Sequence, residues 1–218
     1  MDTKNPMGPA QKEEAKALES VKMNKKMLVT ISAAVLVIAI VALAWYFIAM
    51  RGAAKADEAV ALADTEMNDS IALQYYMDAS ELGYKSGNRA GLNAAIMLYQ
   101  KGEYEQALQY LKKSSVSSSI IEAGKYSLMG DCYANLNQLD EAVSAFKDAI
   151  KAAKGNDQIT PFVLVKLANV YRAQGNFEDE YKAYKQIIDD YPVYVQNLKQ
   201  RADIRKYAER AKASAENK

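Results

Sequence analysis

A pattern of small and large residues recurs three times in the second half of this 218-residue chain and restricts the folds open to it. In the clearest copies a small residue stands four positions before a large one, as Ala107 precedes Leu111 and Ala142 precedes Phe146. Residues four apart lie on the same face of a helix. Successive copies are offset by about 35 residues, which is the length of two short helices and a turn. The pattern therefore predicts a row of helical hairpins.

The residue that joins the two helices of each copy has the chemistry of a tight turn. Gly102, Asn137 and Gly175 occupy this position in the three copies, and Gly and Asn best tolerate the left-handed backbone that ends a helix. We expect a left-handed turn at each of them. A helix, a turn and a second helix repeated about every 34 residues resemble the tetratricopeptide repeat (TPR). The resemblance implies an all-α solenoid whose stacked hairpins share one core.

The copies differ in how well they keep the pattern. In the third copy Glu180 replaces the small residue before Tyr184, so we expect a looser helix crossing there. Thr160 is predicted to cap the first helix of that copy, with Pro161 in the first helical position. A degenerate fourth copy is predicted upstream, with a first helix starting near Ala53. The predicted repeats, within 51–192, are 53–87, 88–121, 123–155 and 161–192, about three to four hairpins, followed by a C-terminal capping helix over 193–218.

An apolar stretch precedes the repeats. From Met27 to Met50 the chain has no charged residue, and at about 1.5 Å per residue a helix of this length crosses a hydrocarbon core of about 30 Å. Trp45, Tyr46 and Phe47 lie at its end, where interfacial aromatic residues are enriched. A cleaved signal peptide has a shorter apolar core. A core helix of a soluble domain is disfavoured because the stretch is apolar on every face and adjoins a polar tail of 26 residues. We predict a single transmembrane helix.

Flanking charge predicts the orientation of this helix. Lys22, Lys25 and Lys26 precede it, whereas Arg51 and Lys55 follow it among acidic residues, and Lys and Arg accumulate on the cytoplasmic side. The tail 1–26 is therefore predicted to be cytoplasmic and flexible, and the repeats periplasmic, in a bacterial inner membrane. Small residues leave a homodimer through the anchor open; they are Ser32, Ala33, Ala39 and Ala42.

Composition argues against several classes of function. The net charge of +1 gives no electrostatic reason to expect nucleic acid as a partner. The chain has no His and one Cys, Cys132, so a zinc site of the usual kind and an internal disulfide are excluded. Its acidic residues are scattered over predicted helix exteriors. We therefore expect no catalytic site, no metal and no cofactor, and we expect Cys132 to be buried.

The first helices of stacked hairpins line one face, and that face is the predicted binding surface for proteins or peptides. Its mixture of polar, basic and aromatic side chains suits an extended or helical peptide. In the last repeat, Lys166, Asn169 and Arg172 favour a peptide with an acidic end. The candidate groove residues are Arg89, Asn93, Tyr99, Asn135, Lys166, Asn169 and Arg172.

A tail, one anchor, three to four hairpins and a basic last helix resemble the YfgM-like ancillary subunit family of the bacterial SecYEG translocon. The segments YSLMGDCYANLNQLDEAVSAFKDAI and LANVYRAQGNFEDEYKAYKQIIDDYP carry most of the resemblance. The sequence is most similar in style to the members of this family expected in Bacteroidetes. The resemblance implies a chaperone-like factor that contacts the translocon and newly secreted chains. Two alternatives stay open: a structural tether for cell-wall or outer-membrane assembly, and a cytosol-facing receptor if the topology is reversed.

Overall fold

The computed structural model describes residues 8–10, 12–13, 25–196 and 203–217, so most of the predicted tail 1–26 lies outside the described residues. Every regular element in the described part is a helix, and the chain divides into two compact units, Met1–Arg51 and Gly52–Lys218. The helices are α1 (Lys25–Thr65), α2 (Asp69–Leu82), α3 (Tyr84–Gln100), α4 (Tyr104–Lys113), α5 (Ser119–Asn135), α6 (Leu139–Ala153), α7 (Ile159–Ala173), α8 (Phe177–Asp190), α9 (Pro192–Gln196) and α10 (Asp203–Glu216).

Helix α1 contains the uncharged stretch and exposes it. Its large apolar side chains are open to the surroundings, with Trp45 74% and Ile38 67% exposed. In the described part of the chain, one helix, α1, is long and apolar enough to cross a membrane, and the candidate span within it starts at Met27. The prediction of a separate helix from Ala53 is wrong, because α1 runs unbroken to Thr65. The residues after Arg51 are mostly good helix formers, so nothing local ends the helix there.

The repeat unit consists of antiparallel helix pairs that stack in sequence. Helix α3 packs on α4, α5 on α6 and α7 on α8, and each pair packs on the next. The first helices α3, α5 and α7 also touch their neighbours, so together they form a continuous surface. Alanine dominates the core, as the pattern of small residues predicts for helices that approach closely. The fully buried alanines include Ala79, Ala90, Ala94, Ala95, Ala107, Ala123, Ala142, Ala149 and Ala168.

The three predicted left-handed turns are confirmed. The φ angle is 80° at Gly102, 56° at Asn137 and 70° at Gly175. In each case the next residue donates its backbone N–H to a carbonyl five positions back, for example Glu103 to Leu98 at 2.9 Å. This bond satisfies a carbonyl at the helix end that would otherwise lack a partner. The same turn chemistry therefore closes all three hairpins.

The start of the third hairpin differs from the prediction. Helix α7 begins at Ile159, and the side chain of Asn156 accepts the backbone N–H groups of Gln158 and Ile159, both at 3.0 Å. Thr160 is therefore not the cap; its hydroxyl is buried and has no hydrogen-bond partner among the described residues. Asn156 caps the helix because its side-chain amide oxygen lies within hydrogen-bonding distance of the backbone N–H groups two and three residues later in the chain. Pro161 still lies in the first turn, where its missing N–H costs nothing.

The crossing of the third hairpin holds a fully buried charge. Glu180 is 0% exposed, and one of its carboxylate oxygens, Oε1, lies 3.5 Å from Arg172 and 3.0 Å from Arg210. Burial raises the pKa of the Glu180 carboxyl, and the charge of Arg172 opposes that rise. Instead of a gap, the position carries an ion cluster that links α8 to both α7 and α10.

The C-terminal segment contains two described helices where one was predicted. Helix α9 is short, α10 follows, and the residues between them lie outside the described part of the chain. Helix α10 packs on α8 with a buried side made of Ile204, Ala208 and Ala211. The ring of Tyr207 lies 5.8 Å from that of Tyr184. An amphipathic last helix thus covers the end of the repeat core, as a solenoid requires.

Candidate functional site

Two neighbouring clefts open on the face formed by the first helices. The apolar cleft lies between α5 and α7 and has a volume of about 500 Å³. The basic cleft lies between α3 and the segment that leads into α5, with a volume of about 380 Å³. Ile120 lines the first and Ile121 the second, so the start of α5 forms the boundary between them. Clefts of this size accommodate side chains of a bound peptide.

The apolar cleft has an apolar rim and a charge pair within its lining. Phe162 and Ile120 are 50% and 58% exposed. Asp131 and Lys166 form an ion pair, and the Lys166 ammonium lies 4.8 Å from the centre of the Phe162 ring. Burial raises the pKa of Asp131, while its hydrogen bond to Lys166 opposes the rise. Because the two charges neutralise each other, this cleft attracts an apolar group more than a charged one.

The charged side chains that line the basic cleft are positive, and two carboxylates adjoin the lining from outside: Asp57, which accepts the Ser86 hydroxyl, and Asp64. Lys85 and Arg89 are the charged residues of its described lining, and that lining contains no carboxylate. Arg89 pairs with Asp64 outside the cleft at 3.1 Å. Lys85 is exposed and forms no ion pair with any residue that the structure describes. The cleft wall is held in place by Asn88, whose side chain accepts the backbone N–H of Ser115 at 3.0 Å.

Two of the seven predicted groove residues line the clefts: Arg89 the basic cleft and Lys166 the apolar one. The other five contact residues of the fold. The side chain of Asn93 lies beside the Tyr76 phenol and that of Asn135 beside the Tyr99 phenol, and each acts to lower the pKa of its tyrosine. Burial raises the pKa of the Tyr99 phenol, and the neighbouring Asn135 side chain reduces this rise in pKa. The remaining two pairs are Asn169 with Tyr184, at 3.3 Å, and Arg172 with Glu180.

The residues that shape the clefts were mostly absent from the predicted groove. Ile120 and Ile121 are both largely exposed, although large aliphatic side chains such as Ile are usually buried. Two consecutive isoleucines after a serine-rich segment were therefore a usable signal. Gly124 and Lys85 also line the clefts, one in each. Neither fits the repeat pattern, so the repeat alignment gave no reason to select them.

No group of three or more His, Cys, Asp or Glu residues within the described ranges could hold a metal ion. Cys132 is fully buried, and burial raises the pKa of its thiol to about 11. The thiol is therefore neutral at physiological pH and behaves as a small apolar group.

Comparison with known families agrees with this architecture. The model of the tetratricopeptide repeat-like domain matches residues 55–172, more than half of the chain. A second model, the tetratricopeptide repeat, matches residues 162–192. The chain belongs to the tetratricopeptide repeat-like domain family, whose members act as scaffolds for protein–protein interaction. None of the curated proteins compared with the chain matches it significantly.

Several solved structures share the fold. A MamA crystal structure is 19% identical, covers 68% of this chain and 90% of its own, and superposes with a TM-score of 0.50. The nearly identical TPR-like repeats described as a kinesin light chain of Podosopora anserina are 12% identical, with 78% and 89% coverage and a TM-score of 0.55. At such identities the likeness concerns the fold alone.

Proposed function

We propose that this chain is a single-pass membrane protein whose repeats form a peptide-binding scaffold outside a bacterial inner membrane. The observation that carries the proposal is the uncharged stretch from Met27 to Met50, whose apolar side chains are exposed in helix α1. Exposed apolar surface of this extent is unfavourable in water and favourable in lipid. The same helix continues to Thr65, within the matched repeat domain.

The proposed partners are translocon subunits and newly secreted chains, as in the YfgM-like family that the sequence resembles. The apolar cleft supports this choice, because unfolded secreted chains expose the apolar side chains that such a cleft accepts. The distribution of Lys and Arg around the anchor supports a periplasmic location of the repeats. The scaffold would therefore hold segments of secreted proteins close to the membrane from which they emerge.

Membrane insertion and topology are tested together by cysteine labelling. Lys101 is exposed in the turn after α3, whereas the native Cys132 is buried. In intact cells a maleimide that cannot cross the inner membrane should label a Lys101→Cys variant and leave the parent chain unlabelled. Full-length protein should remain in the membrane after alkaline extraction. Labelling of Lys101→Cys only after the inner membrane is permeabilised would show that the repeats face the cytosol and that the receptor alternative holds.

Partner identity is tested by in-cell crosslinking from a photoreactive residue at position 162, on the rim of the apolar cleft. We expect translocon subunits and secreted chains among the captured proteins. Capture of cell-wall or outer-membrane assembly proteins instead would reject the translocon proposal in favour of the structural tether. Absence of any captured protein, with the full chain correctly inserted, would contradict the scaffold function itself.

A further inference from the structure

Gly124 in the middle of α5 has no packing reason to be glycine. A Cβ atom built at Gly87, Gly91 or Gly130 would approach a neighbouring atom to 2.6 Å, so close packing accounts for glycine at those helical positions. A Cβ atom at Gly124 would meet no atom of the described residues within 4 Å. Its backbone is helical, so no unusual φ angle explains the residue either. Within the fold itself, alanine would fit this position at least as well.

A glycine inside a helix destabilises it relative to alanine. At Gly124 this cost is accompanied by a specific gain in space, because the residue lines the apolar cleft. The missing side chain widens the cleft beside the exposed ring of Phe162 and lets another chain approach the backbone of α5 closely. The space beside Gly124 is therefore available to a bound partner, because no side chain of the described residues fills it.

The basic cleft supplies a second, chemically different contact close by. The two clefts meet at the start of α5, where Ile120 lines one and Ile121 the other, and the axes of packed helices are about 8–10 Å apart. An extended peptide advances about 3.3–3.6 Å per residue, so about three residues cover that distance. Lys85, which has no ion-pair partner in the described structure, gives the basic cleft a charge that an acidic side chain complements.

We propose that the two clefts together bind one extended segment, with an apolar side chain beside Gly124 and a carboxylate about three residues away at Lys85. The proposal rests on the peptide-binding function above and adds a sequence preference to it. The occupant is an unfolded polypeptide segment that combines an apolar and an acidic residue at this spacing. Neutrality of the Asp131–Lys166 pair keeps the first contact apolar, and the charge complementarity of Lys85 makes the second one acidic.

The test measures binding of fluorescein-labelled peptides to the full chain in detergent micelles by fluorescence anisotropy. Three peptides of otherwise glycine and serine carry Leu and Asp three positions apart, Leu and Lys, or Ser and Asp. We expect the first peptide to bind about threefold to tenfold more tightly than the second, as an exposed charge contact allows. It should bind at least about tenfold more tightly than the third, which lacks the apolar side chain.

Variants assign each contact to its cleft. Gly124→Leu fills the apolar cleft and should weaken binding of the Leu and Asp peptide at least about tenfold. Gly124→Ala should weaken binding less, yet raise the thermal midpoint by about 1–4 °C. Lys85→Glu should reverse the preference between the Asp and Lys peptides. The matched control is Ala213→Leu, which adds the same side chain at an exposed position of α10 outside both clefts.

The outcomes separate this inference from the proposed function. Equal affinity for the Asp and Lys peptides, or binding that Gly124→Leu leaves unchanged while circular dichroism shows a folded protein, would overturn the inference and leave the scaffold function standing. If no peptide binds but proteins are captured from position 162, the inference is likewise overturned and the scaffold function stands. No peptide binding and no captured protein would overturn both.

Discussion

The second and third hairpins place opposite chemistry at the same repeat position. In the second, Ala142 occupies the crossing, and the ring of Phe146 lies against Gly130, where a Cβ atom would come within 2.6 Å of it. In the third, Glu180 occupies the crossing and is equally buried. One crossing is closed by apolar packing within the hairpin and its neighbours, and the other by a carboxylate whose partners belong to two other helices.

This difference shows how a repeat can come to depend on its neighbours. Apolar packing needs only complementary shape, whereas a buried carboxylate needs positive partners to offset its desolvation. One of the partners of Glu180 is Arg210, on α10. The third hairpin therefore makes docking of the C-terminal helix part of its own core. The second hairpin has no comparable requirement for a charged partner at its crossing, because Ala142 carries no charge.

Loss of the apolar crossing should have the largest effect. Phe146 is 1% exposed, so Phe146→Ala removes a large buried ring and leaves a cavity. We expect the free energy of unfolding to fall by about 3–5 kcal/mol. Denaturant unfolding of the full chain in detergent, followed by circular dichroism, measures it. A loss below about 1 kcal/mol would mean that the second crossing does not depend on this packing.

Removal of one partner of the buried carboxylate should have an intermediate effect. Arg210→Ala leaves Glu180 with Arg172 alone and should lower the free energy of unfolding by about 1–3 kcal/mol. Hydrogen exchange should show lost protection first in α10 and α8. Arg205→Ala, an exposed position on the same helix, is the control and should change stability by less than about 0.5 kcal/mol. Equal effects of the two variants would contradict the role of the ion cluster.

Two substitutions at the start of the third hairpin should have smaller effects on the free energy of unfolding, and the effects should have opposite signs. Asn156→Ala removes the cap and should cost about 1 kcal/mol. Thr160→Val replaces a buried hydroxyl that lacks a hydrogen-bond partner in the described part of the chain, and it should stabilise the protein by about 1 kcal/mol. Thermal unfolding of both variants measures the two signs. Destabilisation by Thr160→Val would show that the hydroxyl has a stabilising contact, and unchanged stability on Asn156→Ala would contradict the capping role of Asn156.

The smallest expected effect is the pH dependence of stability, which tests whether burial disfavours the ionised form of Glu180. Because burial raises the pKa of Glu180 above its ordinary value of 4.5, the folded chain keeps this proton to a higher pH than the unfolded chain does. Ionisation of Glu180 therefore costs stability as the pH rises through the interval that starts at 4.5. Relative to a Glu180→Gln variant, the wild type should lose free energy of unfolding over that interval. A relative gain would show that the arginines outweigh desolvation.

The sequence predicted most reliably those features that local chemistry determines. Gly102, Asn137 and Gly175 carry their backbone preference in the residue itself, so the turns followed from identity and spacing. The environment of Glu180 did not, because its partner Arg210 is remote in sequence and matches no local pattern. The cap at Asn156 was missed because Thr160 and Pro161 offered a competing and equally regular signal.

The candidate site was harder to predict than the fold for a related reason. Side chains on the first helices can either bind a partner or join neighbouring helices, and the repeat pattern does not distinguish the two roles. Asn93, Asn135 and Asn169 each contact a tyrosine of the fold. The exposed Ile120 and the open space at Gly124 become visible only when the neighbouring helices are in place.

The central claim is that partners bind to the face formed by the first helices. The most direct test compares photocrosslinking in cells from position 120, at the rim of the apolar cleft, with crosslinking from position 186, exposed on the second helix α8. The account predicts protein adducts from position 120 that disappear in a Gly124→Leu background, and few or none from position 186. Adducts that form mainly from position 186, or that persist from position 120 when the cleft is filled, would contradict it.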